Sequence, residues 1–298
     1  MIIARRSTAP ALALSMLNKV PQITLIFWII KILATTVGET AADFLNVRMG
    51  FGLNGTSLVM SALFLLVLGI QLKCRRYIPS VYWTVVVVVS VVGTLISDNL
   101  VDNLGISLRT TSIVFACALA VVFLAWWFSE RTLSVHSIRT TKRELFYWAA
   151  ILFTFALGTS AGDLLGEASG LGYGPAALVF AALIGVTALA YFVMNMNGVL
   201  AFWIAYVLTR PLGASMGDLL SQTHQNGGLG LGTTMTSAVF LLVIVALVIY
   251  LTVTHKDFIA EPDDAMSGGR KSKLERTRAS TSVVTPGTAE PAAAAIPE

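Results

Sequence analysis

Four aspartates recur at a fixed place in one repeated pattern. Asp43, Asp98, Asp163 and Asp218 each stand five residues after a glycine, namely Gly38, Gly93, Gly158 and Gly213. Ten residues before each glycine lies a tryptophan: Trp28, Trp83, Trp148 and Trp203. A Phe or Tyr precedes every one of these tryptophans, and a Leu follows each Asp two residues on, so [FY]-W-x9-G-x4-D-x-L occurs four times without a gap. The Asp spacings are 55, 65 and 55, which gives the same offset of 120 from Asp43 to Asp163 and from Asp98 to Asp218. A two-helix unit that doubled twice explains both numbers. Carboxylates offer only oxygen, so the chemistry they suggest is the binding of a hard cation (Mn²⁺, Mg²⁺ or Ca²⁺) or of protons; with no Cys or His nearby, zinc and copper are disfavoured.

In steps of four, which follow one face of a helix, the rows through the aspartates read Lys31, Thr35, Glu39, Asp43, Val47; Val86, Ser90, Thr94, Asp98, Asp102; Ile151, Phe155, Thr159, Asp163, Glu167; and Tyr206, Arg210, Ala214, Asp218, Gln222. The rows are only partly polar, and the polar signal concentrates around the Asp. Of nine acidic residues between Val20 and His255, these rows hold seven, Glu39, Asp43, Asp98, Asp102, Asp163, Glu167 and Asp218; the other two, Glu130 and Glu144, fall in a basic connection. A carboxylate inside hydrocarbon costs at least about 2.5 kcal/mol even on insertion scales. Four in register therefore imply helices that face one another around a protein-lined or wet interior.

The rest of the chain says what positions them. Of its 298 residues 56% are apolar and only 12% charged, with a mean hydropathy of +0.78. That excludes a soluble globular enzyme, a disordered protein and a secreted disulfide scaffold. The net charge of +4 sits in short loops and a tail, not on a folded basic face, so no nucleic-acid partner is implied. Eight apolar runs, at about 22–45, 56–72, 79–101, 110–128, 145–166, 176–194, 198–220 and 234–254, each have the length that crosses the hydrocarbon core as a helix. The expected fold is an all-α polytopic membrane bundle, eight transmembrane helices arranged as four parallel two-helix repeats. The odd helices should form the interior and the even ones the outer layer, the latter opening with Thr56-Ser57, Thr111-Ser112 and Thr236-Ser237 as helix N-caps.

Basic residues cluster before span one (Arg5, Arg6, Lys19), between spans two and three (Lys73, Arg75, Arg76), between four and five (Arg131, Arg139, Lys142, Arg143) and after span eight. The positive-inside rule then places both termini in the cytosol and all four Asp toward the other side of the membrane. The expected organisation is a cytosolic leader at 1–19, a first membrane half at 20–135, a second at 136–255 and a disordered cytosolic tail at 256–298, which holds 13 of the 36 charged residues. Cys74 and Cys117 read as small core residues. The expected location is a bacterial inner membrane.

The Trp and Gly residues of the pattern read as packing anchors and close-contact sites, with the Trp rings near the cytosolic interface. Arg210 and Lys31 read as internal counter-ions, Arg210 paired with Asp218; a second reading has Lys31, three residues past Trp28, reaching back to the interface. Two bases cannot neutralise seven acids, so some carboxylates are left to titrate or bind cations. Asp98 and Asp163, each with a second acid one turn on, are the candidate metal ligands. No nucleophile–base pair, phosphate loop, zinc-type His motif or cofactor motif is present, so no catalytic residue is assigned.

The stretch from Lys19-Val-Pro-Gln-Ile-Thr to Thr40-Ala-Ala-Asp-Phe-Leu45, together with Arg210-Pro-Leu-Gly-Ala-Ser-Met-Gly-Asp-Leu-Leu220, resembles the bacterial uncharacterised "membrane-anchored protein" family, built from four copies of a repeat of unknown function. The resemblance spans roughly residues 19–257 and implies the four-unit architecture without supplying an activity. A looser likeness is to exporters of manganese or calcium, whose repeated helices also bear acidic motifs; their Glu-x-Gly-Asp is replaced here by Gly38-Glu-Thr-Ala-Ala-Asp43. Two functions are expected on these grounds. One is a transporter of a small inorganic cation, with protons as the coupling ion. The other is a sensor or structural membrane protein whose polar rows only hold the bundle together.

Overall fold

A computed structural model describes residues 18–257; the expectations for the leader before residue 18 and for the tail after residue 257 lie outside the described residues. The described chain contains helices and no strand. The eight long helices are α1 (Leu25–Asp43), α2 (Gly52–Lys73), α3 (Pro79–Asp98), α4 (Leu108–Glu130), α5 (Thr141–Asp163), α6 (Tyr173–Val193), α7 (Gly198–Ser221) and α8 (Thr233–Thr254). All eight are long and apolar enough to cross a membrane. The protein is an all-α membrane protein of four two-helix repeats.

Local chemistry fixes most of the helix starts. Thr24, Ser107 and Thr140 accept hydrogen bonds from the backbone of the first turns of α1, α4 and α5, Asn197 does so for α7, and Pro79 opens α3. The Thr-Ser pairs of the even helices are not N-caps: α2, α4 and α8 begin three or four residues earlier, leaving Thr56, Thr111 and Thr236 buried one turn inside. Two of their serines act between helices instead. Asn99, just past the end of α3, donates to Ser57 of α2 at 2.7 Å, and Ser237 of α8 donates to Thr40 of α1 at 2.7 Å.

The odd helices form a closed ring in which α1 packs on α3, α3 on α5, α5 on α7, and α7 back on α1. They bury 61–72% of their apolar stretch, against 17–22% for the even helices, which settles the two layers. Each outer helix covers the inner helix of the next repeat rather than its own: α2 lies on α3, α4 on α5, α6 on α7, and α8 closes on α1.

Membrane helices gain nothing from exchanging lipid for Leu, so close backbone approach has to hold such a ring. The motif glycines supply it. A Cβ on Gly38 would strike Ser90, on Gly93 Phe155, on Gly158 Arg210, and on Gly213 Thr35. Each struck residue lies three before the glycine of the following repeat, so the four contacts are one contact repeated cyclically. The aromatic pair works the same way. Phe27 meets Trp83 (5.5 Å between centroids), Tyr82 meets Trp148 (5.5 Å), Tyr147 meets Trp203 (6.2 Å) and Phe202 meets Trp28 (5.8 Å). The Trp residues act as packing anchors: Trp83, Trp148 and Trp203 are buried clasps between repeats, and Trp28 is half-buried. Neither cysteine is a buried core residue; Cys74 is half-buried and Cys117 exposed on α4, an outer helix.

Candidate functional site

Layer by layer, the ring brings the four polar rows onto its axis. Nearest the Trp end, Tyr82 and Tyr147 share a hydrogen bond of 2.5 Å inside the buried aromatic layer. One turn further lies Lys31, fully buried, with its Nζ 4.3 Å from the ring centroids of both Phe155 and Tyr206 and with no hydrogen-bond partner. Lys31 is thus neither paired with an acid nor reaching the interface, as the two readings of the sequence had it. Its amine is held between these two ring faces.

Above Lys31 sits Arg210, completely buried on α7. Its guanidinium touches all three other inner helices. Nη1 donates to the Thr35 carbonyl at 3.2 Å, and Nη2 donates to Glu39 at 2.9 Å, to the Thr159 hydroxyl at 2.6 Å and to the Thr94 hydroxyl. Only a side chain on the common axis can do this. The expected Arg210–Asp218 pair is therefore corrected to Arg210–Glu39. Arg210 and Asp218 are separated by two turns of one helix, about 12 Å along its axis, so a guanidinium bound sideways at the level of Glu39 makes no hydrogen bond or ion pair with Asp218. Pro211 follows Arg210 directly and removes a hydrogen bond from α7 at this level.

Beyond this knot lie Asp43, Asp98, Asp163 and Asp218. Asp218 is buried and the other three are half-buried. Among the described residues none of the four carboxylates is in a hydrogen bond or an ion pair. The four lie within electrostatic reach of Glu39 and of other members of the ring, and Arg210 offsets part of that crowding at Asp98 and Asp218. Asp102 and Glu167 are exposed at the outer rim, where Tyr173 donates to Glu167 at 2.9 Å. Asp43, Asp98 and Asp163 each end an α-helical segment and are followed at once by a π-helical turn, Phe44–Arg48, Asn99–Asn103 and Leu164–Ala168. Such turns concentrate at functional sites; nothing in the sequence pattern announced them.

Asp98 and Asp163, the expected metal pair, belong to the ring, but among the described residues no three His, Cys, Asp or Glu side chains converge as a metal-binding set.

A second buried ion pair was not legible beforehand. Glu144, assigned from sequence to a connection, lies in the first turn of α5 and is buried. Lys19 donates to it at 2.6 Å and to the Leu72 carbonyl at 3.0 Å, and Gln71 holds its other oxygen at 3.0 Å. Tyr77 donates to Asp257 at 2.5 Å in the same region, and burial raises the Asp257 carboxyl above the usual carboxylate range. The Trp end is therefore tied shut by polar contacts as well as by the aromatic layer.

Four segments of the chain, 26–77, 81–132, 146–197 and 201–257, match a Repeat of Unknown Function (DUF347). No curated protein and no solved structure matches the chain. The four segments coincide with the helix pairs α1–α2, α3–α4, α5–α6 and α7–α8, each carrying one copy of the aromatic, glycine and aspartate positions that close the ring; the chain belongs to the family built from this repeat.

Proposed function

We propose that the protein is a proton-coupled transporter of a small hard cation of the Mn²⁺, Mg²⁺ or Ca²⁺ class. One observation carries this reading: four carboxylates without protein partners share the axis of a closed ring of membrane helices. A bundle held together by its polar groups would satisfy them, because leaving them unpaired in a low-dielectric interior is expensive. The cation binds at Asp43, Asp98, Asp163 and Asp218 with part of its water shell, as Mg²⁺ commonly does. Asp102 and Glu167 attract it at the rim. Glu39 and Arg210 close the floor of the site, and passage requires that pair to part. Protons take the place of the cation on the crowded carboxylates, which gives the coupling.

In this reading the protein resides in a bacterial inner membrane, with the Trp end and both termini in the cytosol and the Asp ring open to the outside. The uneven distribution of basic residues supports that orientation. Reporter fusions after Arg76, Arg143 and Lys256 should report cytosol, and fusions after Gly52 and Gly172 the outside; a reversed signal at any of the first three overturns the orientation. Transport itself is tested with purified protein in liposomes. Uptake of Mn²⁺, Mg²⁺ or Ca²⁺ should accelerate with an opposing proton gradient and should be accompanied by cation-dependent thermal stabilisation. Absence of both flux and stabilisation across the panel leaves the structural reading, which the four-helix reach of Arg210 favours, in its place.

A further inference from the structure

We infer that the protein carries a lateral binding site for one anionic phospholipid, between the C-terminal end of α4 and the N-terminal end of α7. A cavity of about 620 Å³ opens there, lined by Phe123, Trp127, Leu200, Trp203, Ile204 and Leu208, with Arg131, Thr132 and Asn197 also on its wall. It is apart from the ring axis and independent of what the ring binds. Its origin is visible in the repeat spacing. The connection from α4 to α5 runs from 131 to 140, whereas those from α2 to α3 and from α6 to α7 are 74–78 and 194–197. These five or six additional residues supply about half of the ten by which the spacing of 65 between Asp98 and Asp163 exceeds the spacing of 55 in the other two pairs. They supply Thr132 and Leu133 as a wall, pinned in place because Trp203 Nε1 donates to the Leu133 carbonyl at 3.0 Å.

The floor is apolar. Trp203 is buried and packs edge-on against Phe123 at 4.9 Å and Trp126 at 5.8 Å, and its one polar atom is already used. An acyl chain suits such a surface. The mouth is cationic. The Arg131 side chain is exposed and has no hydrogen bond or ion pair among the described residues, its guanidinium lying only 5.9 Å from the Phe128 ring centroid, and the N-terminal end of α7 adds the positive end of a helix dipole. Glu130, the acid beside Arg131, is taken by Arg143 at 2.7 Å and Lys142 at 3.4 Å. A zwitterionic headgroup would want a free carboxylate for its amine, and Glu130 does not offer one. A phosphate whose charge is uncompensated fits the mouth, in line with basic pockets between membrane helices elsewhere.

The test is native mass spectrometry of the purified full chain in mild detergent with added phosphatidylglycerol or phosphatidylethanolamine. Phosphatidylglycerol should be retained about tenfold better, a difference of about 1.4 kcal/mol. Arg131→Ala, at an exposed position, should abolish that preference while leaving the melting temperature of the protein near that of wild type. Leu200→Trp, also exposed, should fill the groove and lower retention of both lipids. Equal retention of the two lipids by the wild type overturns the site, as does a Leu200→Trp variant that binds phosphatidylglycerol undiminished. A lipid-free dimer occupying the groove likewise overturns it.

Discussion

Glu39→Gln should lower thermal stability more than any of the four aspartate substitutions. Removing one partner of a buried ion pair typically costs about 3–5 kcal/mol, because the other charge stays buried without compensation. Here Arg210 would keep the Thr35 carbonyl and the hydroxyls of Thr94 and Thr159, so the loss should fall at the lower end of that range. Arg210→Met should be destabilising for the complementary reason: it leaves Glu39 among four other carboxylates with no cation beside it. The double variant, Glu39→Gln with Arg210→Met, should recover most of the loss, since neither charge remains to be desolvated. Melting of the detergent-purified variants gives the double-mutant cycle. A Glu39→Gln protein that melts within a degree of wild type, or a double variant as unstable as the sum of the singles, would show that the pair is not the axial tie described here. Asp218→Asn should by contrast leave the melting temperature near that of wild type, because Arg210 does not depend on it.

The layers were legible in the sequence because the repeat repeats everything at once: clasp, glycine and aspartate fall at the same interval in four copies. Eight spans and an inner ring of odd helices follow from apolar length and from the rows in steps of four. The partners were not legible, because a row shows which residues share a face and not which helix that face meets. Arg210 and Glu39 lie 171 residues apart and meet only because α7 closes on α1. The same closure explains Lys31. As one of two bases among seven acids it reads as a counter-ion, yet Phe155 and Tyr206, on helices contributed by the third and fourth repeats, reach it first. Symmetry is what a repeat predicts, and the axial tie through Arg210 lies where the symmetry fails. Thr35, Ser90, Phe155 and Arg210 occupy one repeated position with four different side chains, and only the last can span the axis. Lys19 and Glu144 escaped for another reason, because each stands at the margin of an apolar run, where charge ordinarily means solvent.

The aspartate ring should respond to neutralisation in the opposite sense from Glu39. Asp98→Asn or Asp163→Asn removes one of several like charges that have no protein partner, so the cation-free protein should be as stable as wild type or more so. What the variant should lose is the response to the ion. A ligand present at a hundred times its dissociation constant stabilises a protein by about 2.7 kcal/mol, and that increment should vanish, together with flux, in either variant. Asp98 and Asp163 are the sharper tests because Asp102 and Glu167 lie one turn further out on the same rows and are exposed to incoming ions. The rows of Asp43 and Asp218 end in Val47 and Gln222 and carry no rim acid of their own, so Asn at either should weaken the response rather than erase it. The measurement is a pair of melting curves, with and without Mn²⁺ or Mg²⁺, beside liposome flux for each of the four variants. Unchanged flux and an unchanged melting shift in all four would make the ring a packing feature. A raised cation-free melting temperature with the shift abolished is the outcome that only a charge-crowded binding site produces, since a structural carboxylate loses stability when it is neutralised.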